Sequence, residues 1–397
     1  MKLLDITEFY SLQGGGVRTY LAEKARWVAA HGDVEHAVIV PSDRDAVTQW
    51  ERSRVYLVRG PRVPASPGYH FLLAGRKVAS LVRRERPDVI EVGSPYLAPW
   101  LARRAARGTP ARLVAFVHEN PRLYVTRAPR LVRAVADRLL VCYLGAAHRW
   151  FHLAVAASPA NLAGLGVRQT AVVPLGVNTA TFHPARRDPA WSQEIGALSG
   201  RPVALYVGRL SAEKGLDVVL AALPVLHRAT GLRLVLIGEG QLRPRLERQA
   251  REWPEMLHVL PFEADRRRLA RAYASAALFV APCPFETFGL AALEAMASGL
   301  PVVGVAAGGI GALLDGAEWS RTYRSGDARD CARAVGELLA LDARAAARAA
   351  RAAAVARYRW ERTFTELVAL YRRLVSERAS PTRAASTAPS VAPRISV

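Results

Sequence analysis

Short apolar runs alternate with longer helix-forming stretches along almost the whole chain, and this alternation limits the folds open to it. Runs at residues 3–6, 38–40, 55–58, 88–92 and 113–117 are separated by helical patterns such as 71–84 and 99–107. After a polar, proline-punctuated segment at 184–202 the pattern restarts, with runs at 203–207, 234–237, 259–262, 278–282 and 302–305. Strands and helices in this order build parallel sheets with helices on both faces, an α/β class. At 397 residues the chain is too long for one ordinary core. Two domains are expected, residues 1–185 and 186–360, followed by a helix at 361–378. The Ser-, Thr-, Pro- and Ala-rich stretch 379–397 has no apolar periodicity and reads as a disordered tail.

In such sheets ligands collect beyond the carboxyl ends of the strands, so the residues that follow each run carry the information. The richest segment is Phe285-Glu286-Thr287-Phe288-Gly289-Leu290-Ala291-Ala292-Leu293-Glu294. The run before it is a short strand; Glu286, Thr287 and Gly289 form a turn; and residues 290–298 have the composition of a helix that Gly299 and Pro301 stop. A helix starting there presents the amides of Phe288, Gly289 and Leu290 and a partial positive charge, which suit a phosphate. Glu286 precedes the helix and Glu294 lies on its second turn, about 8 Å further along. Each carboxylate accepts hydrogen bonds in pairs and so suits a vicinal diol. Carboxylate, amide cluster, carboxylate is the order of a nucleotide sugar, which has diols at both ends of a diphosphate. The same residues also fit one glutamate stabilising a helix dipole and a second one in solvent. The segment by itself does not choose between the two.

This segment resembles the Glu-x7-Glu signature of the retaining family 4 glycosyltransferases of the GT-B fold. The resemblance implies two Rossmann-like domains facing across a cleft, with the last helix crossing back to the first. Tyr358-Arg359-Trp360-Glu361 resembles the aromatic segment that begins that crossing. It also implies that Glu286 contacts the hydroxyls of the transferred sugar and that Glu294 contacts the ribose.

Further motifs extend the resemblance over most of the chain. Gly14-Gly15-Gly16 follows the first strand and opens a helix, a geometry for approaching phosphate. A dinucleotide fingerprint would need its third glycine at Thr19 and an acidic residue after the second strand, where Val40-Pro41 stands, so NAD is not expected. The turn is similar to the family's Gly-Gly loop, which implies that Gly15 and Gly16 approach the donor from the opposite domain. In Gly208-Arg209-Leu210-Ser211-Ala212-Glu213-Lys214-Gly215 two cations stand at a strand's carboxyl end and suit a diphosphate leaving group. Their spacing matches the family's phosphate-binding motif. The resemblance further places the base beside Leu260 and Phe262. His118 follows the strand at 113–117, where a lone histidine is more often structural than functional; the family places a histidine there beside the transferred sugar.

Asp43-Arg44-Asp45 looks like the metal-binding Asp-x-Asp of another glycosyltransferase fold, but it sits in a loop of the half that does not carry the nucleotide. It reads as a solvated turn, and neither a metal nor any cofactor beyond the donor substrate is expected. The net charge of +21 invites an anionic partner, although only four of the 55 basic residues are lysine, so a bias towards arginine explains part of it. A surplus of 12 positive charges falls on residues 1–185. Residues 129–153 alternate Arg130, Arg133 and Arg138 with Leu131, Val132, Val135 and Leu139. That is either an ordinary amphipathic helix or a surface that docks on anionic lipid. Nucleic acid is not expected, since no recognition motif or interleaved aromatics accompany the charge.

No run is clean enough to span a bilayer, the best, 139–157, being broken by His148, Arg149 and His152. The first residues form a strand rather than a signal peptide. The expected location is the cytoplasm, on the inner face of the cell membrane if the basic stretch docks there. Three widely spaced cysteines argue against a disulfide framework. Taken with these features, the resemblance implies transfer of a hexose with retention, mannose from GDP-mannose, onto a lipid-linked or glycan acceptor. UDP-glucose is the alternative donor. A nucleotide-sugar epimerase is the rival of different mechanism; it needs acid and base carboxylates in the first domain's cleft, where Glu119 is the main candidate.

Overall fold

The computed structural model describes residues 1–11, 15–64, 68–119, 121, 125, 130–162, 165–196 and 200–379. The tail expected from residue 379 lies outside them, except for Ala379, which still belongs to the last helix.

The first sheet has eight strands: β1 (Lys2–Ile6), β2 (Glu35–Ser42), β3 (Ala46–Trp50), β4 (Ser53–Arg59), β5 (Val89–Val92), β6 (Arg112–Val117), β7 (Leu153–Ala156) and β8 (Thr170–Val172), in the order β3-β4-β2-β1-β5-β6-β7-β8. Helices α1 (Gly16–Ala30), α2 (Gly75–Glu85), α3 (Ala98–Ala106) and α4 (Arg130–His148) connect them. The central strands are buried on both faces, which is why they read as unbroken apolar runs. Among the described strands only β3 pairs antiparallel, and it lies at the edge. Its central side chains are exposed, so it has no apolar pattern for a sequence reading to find.

The second sheet is parallel throughout, in the order β11-β10-β9-β12-β13-β14. Its strands are β9 (Val203–Val207), β10 (Arg233–Ile237), β11 (Leu257–Leu260), β12 (Leu278–Ala281), β13 (Val302–Val305) and β14 (Ser320–Tyr323). The segment between the sheets is less plain than its composition suggests. It contains α5 (Pro189–Glu194), which Asp188 caps by accepting a bond from the Ala190 N–H at 2.9 Å and which buries Trp191. Helices α6 (Leu216–Thr230), α7 (Arg243–Glu252), α8 (Arg266–Ser275), α9 (Leu290–Ala297), α10 (Gly308–Leu314), α11 (Ala328–Leu339) and α12 (Ala343–Arg357) complete the second domain.

The last helix, α13 (Trp360–Ala379), packs against α1 of the first domain, as the aromatic segment before it implies. Trp360 stacks on Phe364 at 5.3 Å, and both lie within reach of Tyr20. Where the chain crosses, the Val177 N–H donates to the Tyr358 carbonyl at 2.8 Å and the Thr363 hydroxyl to the Pro174 carbonyl at 2.8 Å. Arg351 of α12 binds the carbonyls of Thr179, Phe182 and Ala297. Beneath α1 the buried Lys24 ammonium lies 2.8 Å from Asp5 and 2.6 Å from Glu91. Tyr20 and Tyr371 donate to the two oxygens of Glu91.

The crossing depends on a close backbone approach at Gly176. A Cβ there would lie 2.3 Å from the nitrogen of Trp360 and 2.7 Å from the carbonyl carbon of Arg359. Gly176→Ala is therefore expected to cost roughly 2 kcal/mol or more in urea unfolding. Gly145→Ala, in α4 with open space around the added carbon, is expected to stabilise by a few tenths to about 1 kcal/mol. Equal midpoints for the two variants would show that the contact at Gly176 yields freely.

Candidate functional site

The site forms where the carboxyl ends of both sheets meet. Strand β12 delivers the turn at 282–289, and α9 starts at Leu290 as its sequence predicts. Gly289 makes the turn possible with φ of 99°, a conformation that side chains disfavour. The Glu286 carbonyl accepts from the Gly309 N–H at 2.6 Å, fixing the turn to α10. The turn is also tied across the cleft. The Thr287 hydroxyl donates to the His118 carbonyl at 2.8 Å, and the Asn161 side chain donates to the Thr287 carbonyl at 3.0 Å. Phe288 is buried edge-on to Tyr358 at 5.7 Å. Gly16 opens α1 opposite this helix: a Cβ on it would lie 3.4 Å from Leu290. Gly15, at φ of 119°, caps α1 with the Tyr69 hydroxyl 3.7 Å from its Cβ position.

Each carboxylate is already paired with a cation. Glu286 shares an oxygen with the Lys214 ammonium at 2.9 Å. Burial would raise the Glu286 carboxyl, but Lys214 outweighs it and holds the group below its usual range. For Lys214, burial would lower the ammonium, and Glu286 and its neighbours outweigh that and raise it. The pair is therefore charged on both sides at neutral pH. Glu294 shares an oxygen with Arg266 at 2.5 Å and is nearly covered, with 9% of its side chain exposed. Each glutamate thus has one oxygen already engaged and less capacity for a ligand than an unpaired one.

Arg209 follows β9 and Gly208, whose N–H donates to the Ile237 carbonyl at 3.0 Å. Its side chain is 57% exposed, and its guanidinium reaches the Tyr69 hydroxyl of the first domain at 3.4 Å. Leu260 ends β11, and the Phe262 N–H faces the Glu239 carboxylate at 3.4 Å. Along the carboxyl edge of the sheet the order is then Glu286 after β12, Arg209 after β9, Gly238 after β10 and Leu260 at β11. Three strand steps separate the ends, roughly 14 Å.

His118 follows β6 directly, with its ring 4.8 Å from Tyr20 and 4.5 Å from Phe116. Burial, with Lys24 adding to it, pushes the imidazole pKa down to about 3, so the ring is neutral at physiological pH. The sequence reading had no hold on Asn161, Tyr69 or Arg266. Asn161 stands just beyond the end of β7, where the strand-end rule would have found it. Tyr69 and Arg266 carry no local signal.

Two family models match the chain: residues 14–181 match one described as Glycosyltransferase Family 4, and residues 201–341 match one described as Glycosyl transferases group 1. The chain is 33% identical over 322 residues to a GDP-mannose-dependent alpha-(1-6)-phosphatidylinositol dimannoside mannosyltransferase of Mycobacterium tuberculosis, covering 76% of this chain and 79% of that protein. Among solved structures it superposes on a sucrose-phosphate synthase from Thermosynechococcus elongatus with a TM-score of 0.78 at 21% identity, covering 95% of this chain and 100% of that one. Anabaena HepE, in complex with UDP and glucose, gives 0.69 at 19% identity over 96% of this chain and 100% of that one.

The state of His118 has a consequence for stability. Below about pH 6.5 the unfolded chain takes up a proton that the folded protein refuses until about pH 3, so this residue costs stability as pH falls through that window. His118→Asn is expected to lose up to about 2 kcal/mol less than the parent between pH 7 and pH 4.5 in denaturant titrations. Parallel losses in the two proteins would show that the imidazole is protonated in the fold.

Proposed function

The chain belongs to glycosyltransferase family 4 and has the GT-B fold, and from that premise we propose that it moves mannose from GDP-mannose, with retention, onto a lipid-linked or glycan acceptor. The observation that carries the reading is the strand-end array of Glu286, Lys214 and Arg209, built on a turn that both domains hold. A diphosphate placed between Arg209, Lys214 and the amides of Phe288 to Leu290 would gain charge as the sugar departs, and those groups would stabilise it. The diphosphate would accept the acceptor's proton on the same face. Glu286 would orient the sugar, Glu294 the ribose, and neutral His118 would line the sugar's other face without exchanging a proton. Gly15 and Gly16 would bring the first domain's amides to the donor, and Leu260 and Phe262 would hold the base. Two protein cations serve the leaving group, so no divalent metal is required in this scheme.

GDP-mannose is favoured by the activity for which the mycobacterial relative is named. UDP-glucose is kept as the second donor because a solved structure of the same fold binds UDP and glucose. For the acceptor, the first domain offers a surface of mixed character. Val132, Val135 and Leu139 of α4 are exposed beside the exposed Arg133 and Arg138. Nearby Trp100 and Leu97 are exposed, and Arg103 lies over the Trp150 ring at 3.2 Å. Basic and aromatic side chains beside an apolar stripe suit an anionic bilayer surface. Among the described residues no helix is long and apolar enough to cross a membrane, so such docking would be peripheral.

With a panel of labelled nucleotide sugars, transfer from GDP-mannose is expected, and it should persist in excess EDTA. Transfer from UDP-glucose alone would move the donor assignment, and interconversion of donors without transfer would point to an epimerase. Arg209→Ala and Lys214→Ala are each expected to lower kcat by roughly a hundredfold with a smaller effect on donor affinity. A variant with parental kcat would remove that residue from the mechanism.

On vesicles, the protein is expected to bind anionic but not zwitterionic lipid, with binding weakening as salt rises. Each basic side chain near the surface contributes on the order of 1 kcal/mol, so Arg133→Gln with Arg138→Gln should lower affinity at least tenfold and leave donor hydrolysis in solution intact. Indifference to anionic vesicles at low salt would make a soluble acceptor the better reading.

A further inference from the structure

Arg266 is the first residue of α8, a helix capped by Asp265, and it stands where three parts of the molecule meet. One edge of its guanidinium binds Glu294 of α9 at 2.5 Å. Its guanidinium carbon lies over the ring of Phe182, 4.7 Å from the centroid; Phe182 is a fully buried residue of the segment joining the domains. Glu23, on α1 of the first domain, adds to the charge that favours it. Glu294 itself sits deep, against the buried Tyr273, whose hydroxyl pKa is raised well above its usual value by burial, with the Glu294 charge adding to that. A planar fork held beside an aromatic ring fixes the orientation of a covered carboxylate far better than a flexible ammonium would.

We propose that Arg266 is a positioning residue of the donor site: it holds the Glu294 carboxylate in the plane from which it meets the ribose. The inference rests on the assignment of Glu294 to the ribose made above. The pairing leaves the ribose a carboxylate that is oriented before the nucleotide arrives, so ordering it adds nothing to the cost of binding. It also separates two parts of donor recognition. Ribose affinity depends on Arg266 and Glu294, whereas diphosphate affinity depends on Arg209 and Lys214.

Calorimetry with GDP, 2′-deoxy-GDP, 3′-deoxy-GDP and GMP tests this, with the uridine series run in parallel. In the parent protein, loss of the hydroxyl that Glu294 reads is expected to weaken binding about tenfold. In Arg266→Ala, GDP itself is expected to bind about fivefold to tenfold more weakly, and the same hydroxyl should be worth twofold or less. The preference for GDP over GMP should stay at the parental value in that variant. Arg266→Lys, which keeps the charge without the fork, should fall between the two and also serves if Arg266→Ala does not fold. A role confined to folding would weaken all four nucleotides alike. A full hydroxyl effect in Arg266→Ala or Arg266→Lys would therefore overturn the inference. If Glu294→Gln leaves the hydroxyl effect intact, the ribose assignment fails first and the inference falls with it. If Glu294→Gln abolishes it while Arg266→Ala does not, the assignment stands and the inference alone is wrong.

Discussion

One buried ammonium holds the first domain in register. Lys24 has almost no exposed surface, and it sits between Asp5 on β1 and Glu91 on β5. Burying three such groups is costly, and their attraction offsets the cost only if every remaining polar atom is also served. They are well served: Glu91 accepts from Tyr20 and Tyr371, and Asp5 meets His36, which in turn meets Ser53. Burial would raise the Asp5 carboxyl, but Lys24 and His36 outweigh it and hold the group ionised, whereas burial and the neighbouring Asp5 push Glu91 up. One ion cluster thus ties α1 to four adjacent strands, β5, β1, β2 and β4, and to the last helix. Through Tyr20 it also sets the surroundings of His118.

That rigidity reaches the cleft by a short route. The helix that carries Lys24 begins at Gly16, opposite Leu290, and the strand that carries His118 ends at the carbonyl that accepts from Thr287. The second domain contributes cations and carboxylates already matched to each other, Lys214 with Glu286 and Arg266 with Glu294. A bound anion would therefore rearrange existing pairs rather than meet bare charges, and a sugar hydroxyl would compete for an oxygen that a cation already shares.

How much of this the sequence disclosed follows from distance along the chain. The turn from β12 into α9 was legible because strand, glycine and helix former are consecutive, and the two sheets because buried parallel strands are continuous apolar runs. The edge strand β3 escaped notice since its exposed side chains carry no period. The pairing of Glu286 with Lys214 spans 72 residues and that of Glu294 with Arg266 spans 28, so the two glutamates could be read as site residues but not as members of ion pairs. Thr287 was singled out for its place in the turn, yet its bond to His118 crosses 169 residues. Nothing local foretells a contact of that length.

The bond from Tyr371 to Glu91 spans 280 residues, and it bears on the order in which the molecule can assemble. A chain made from its amino end at about 5–20 residues per second offers its first domain for folding well before its last helix exists. Until that helix emerges, Glu91 lacks one of its two tyrosine partners and the faces of Tyr20 and Trp27 that later meet Phe364 are open to solvent. On that order of synthesis the first domain would keep an uncovered apolar seam until the helix at Trp360–Ala379 emerges to cover it.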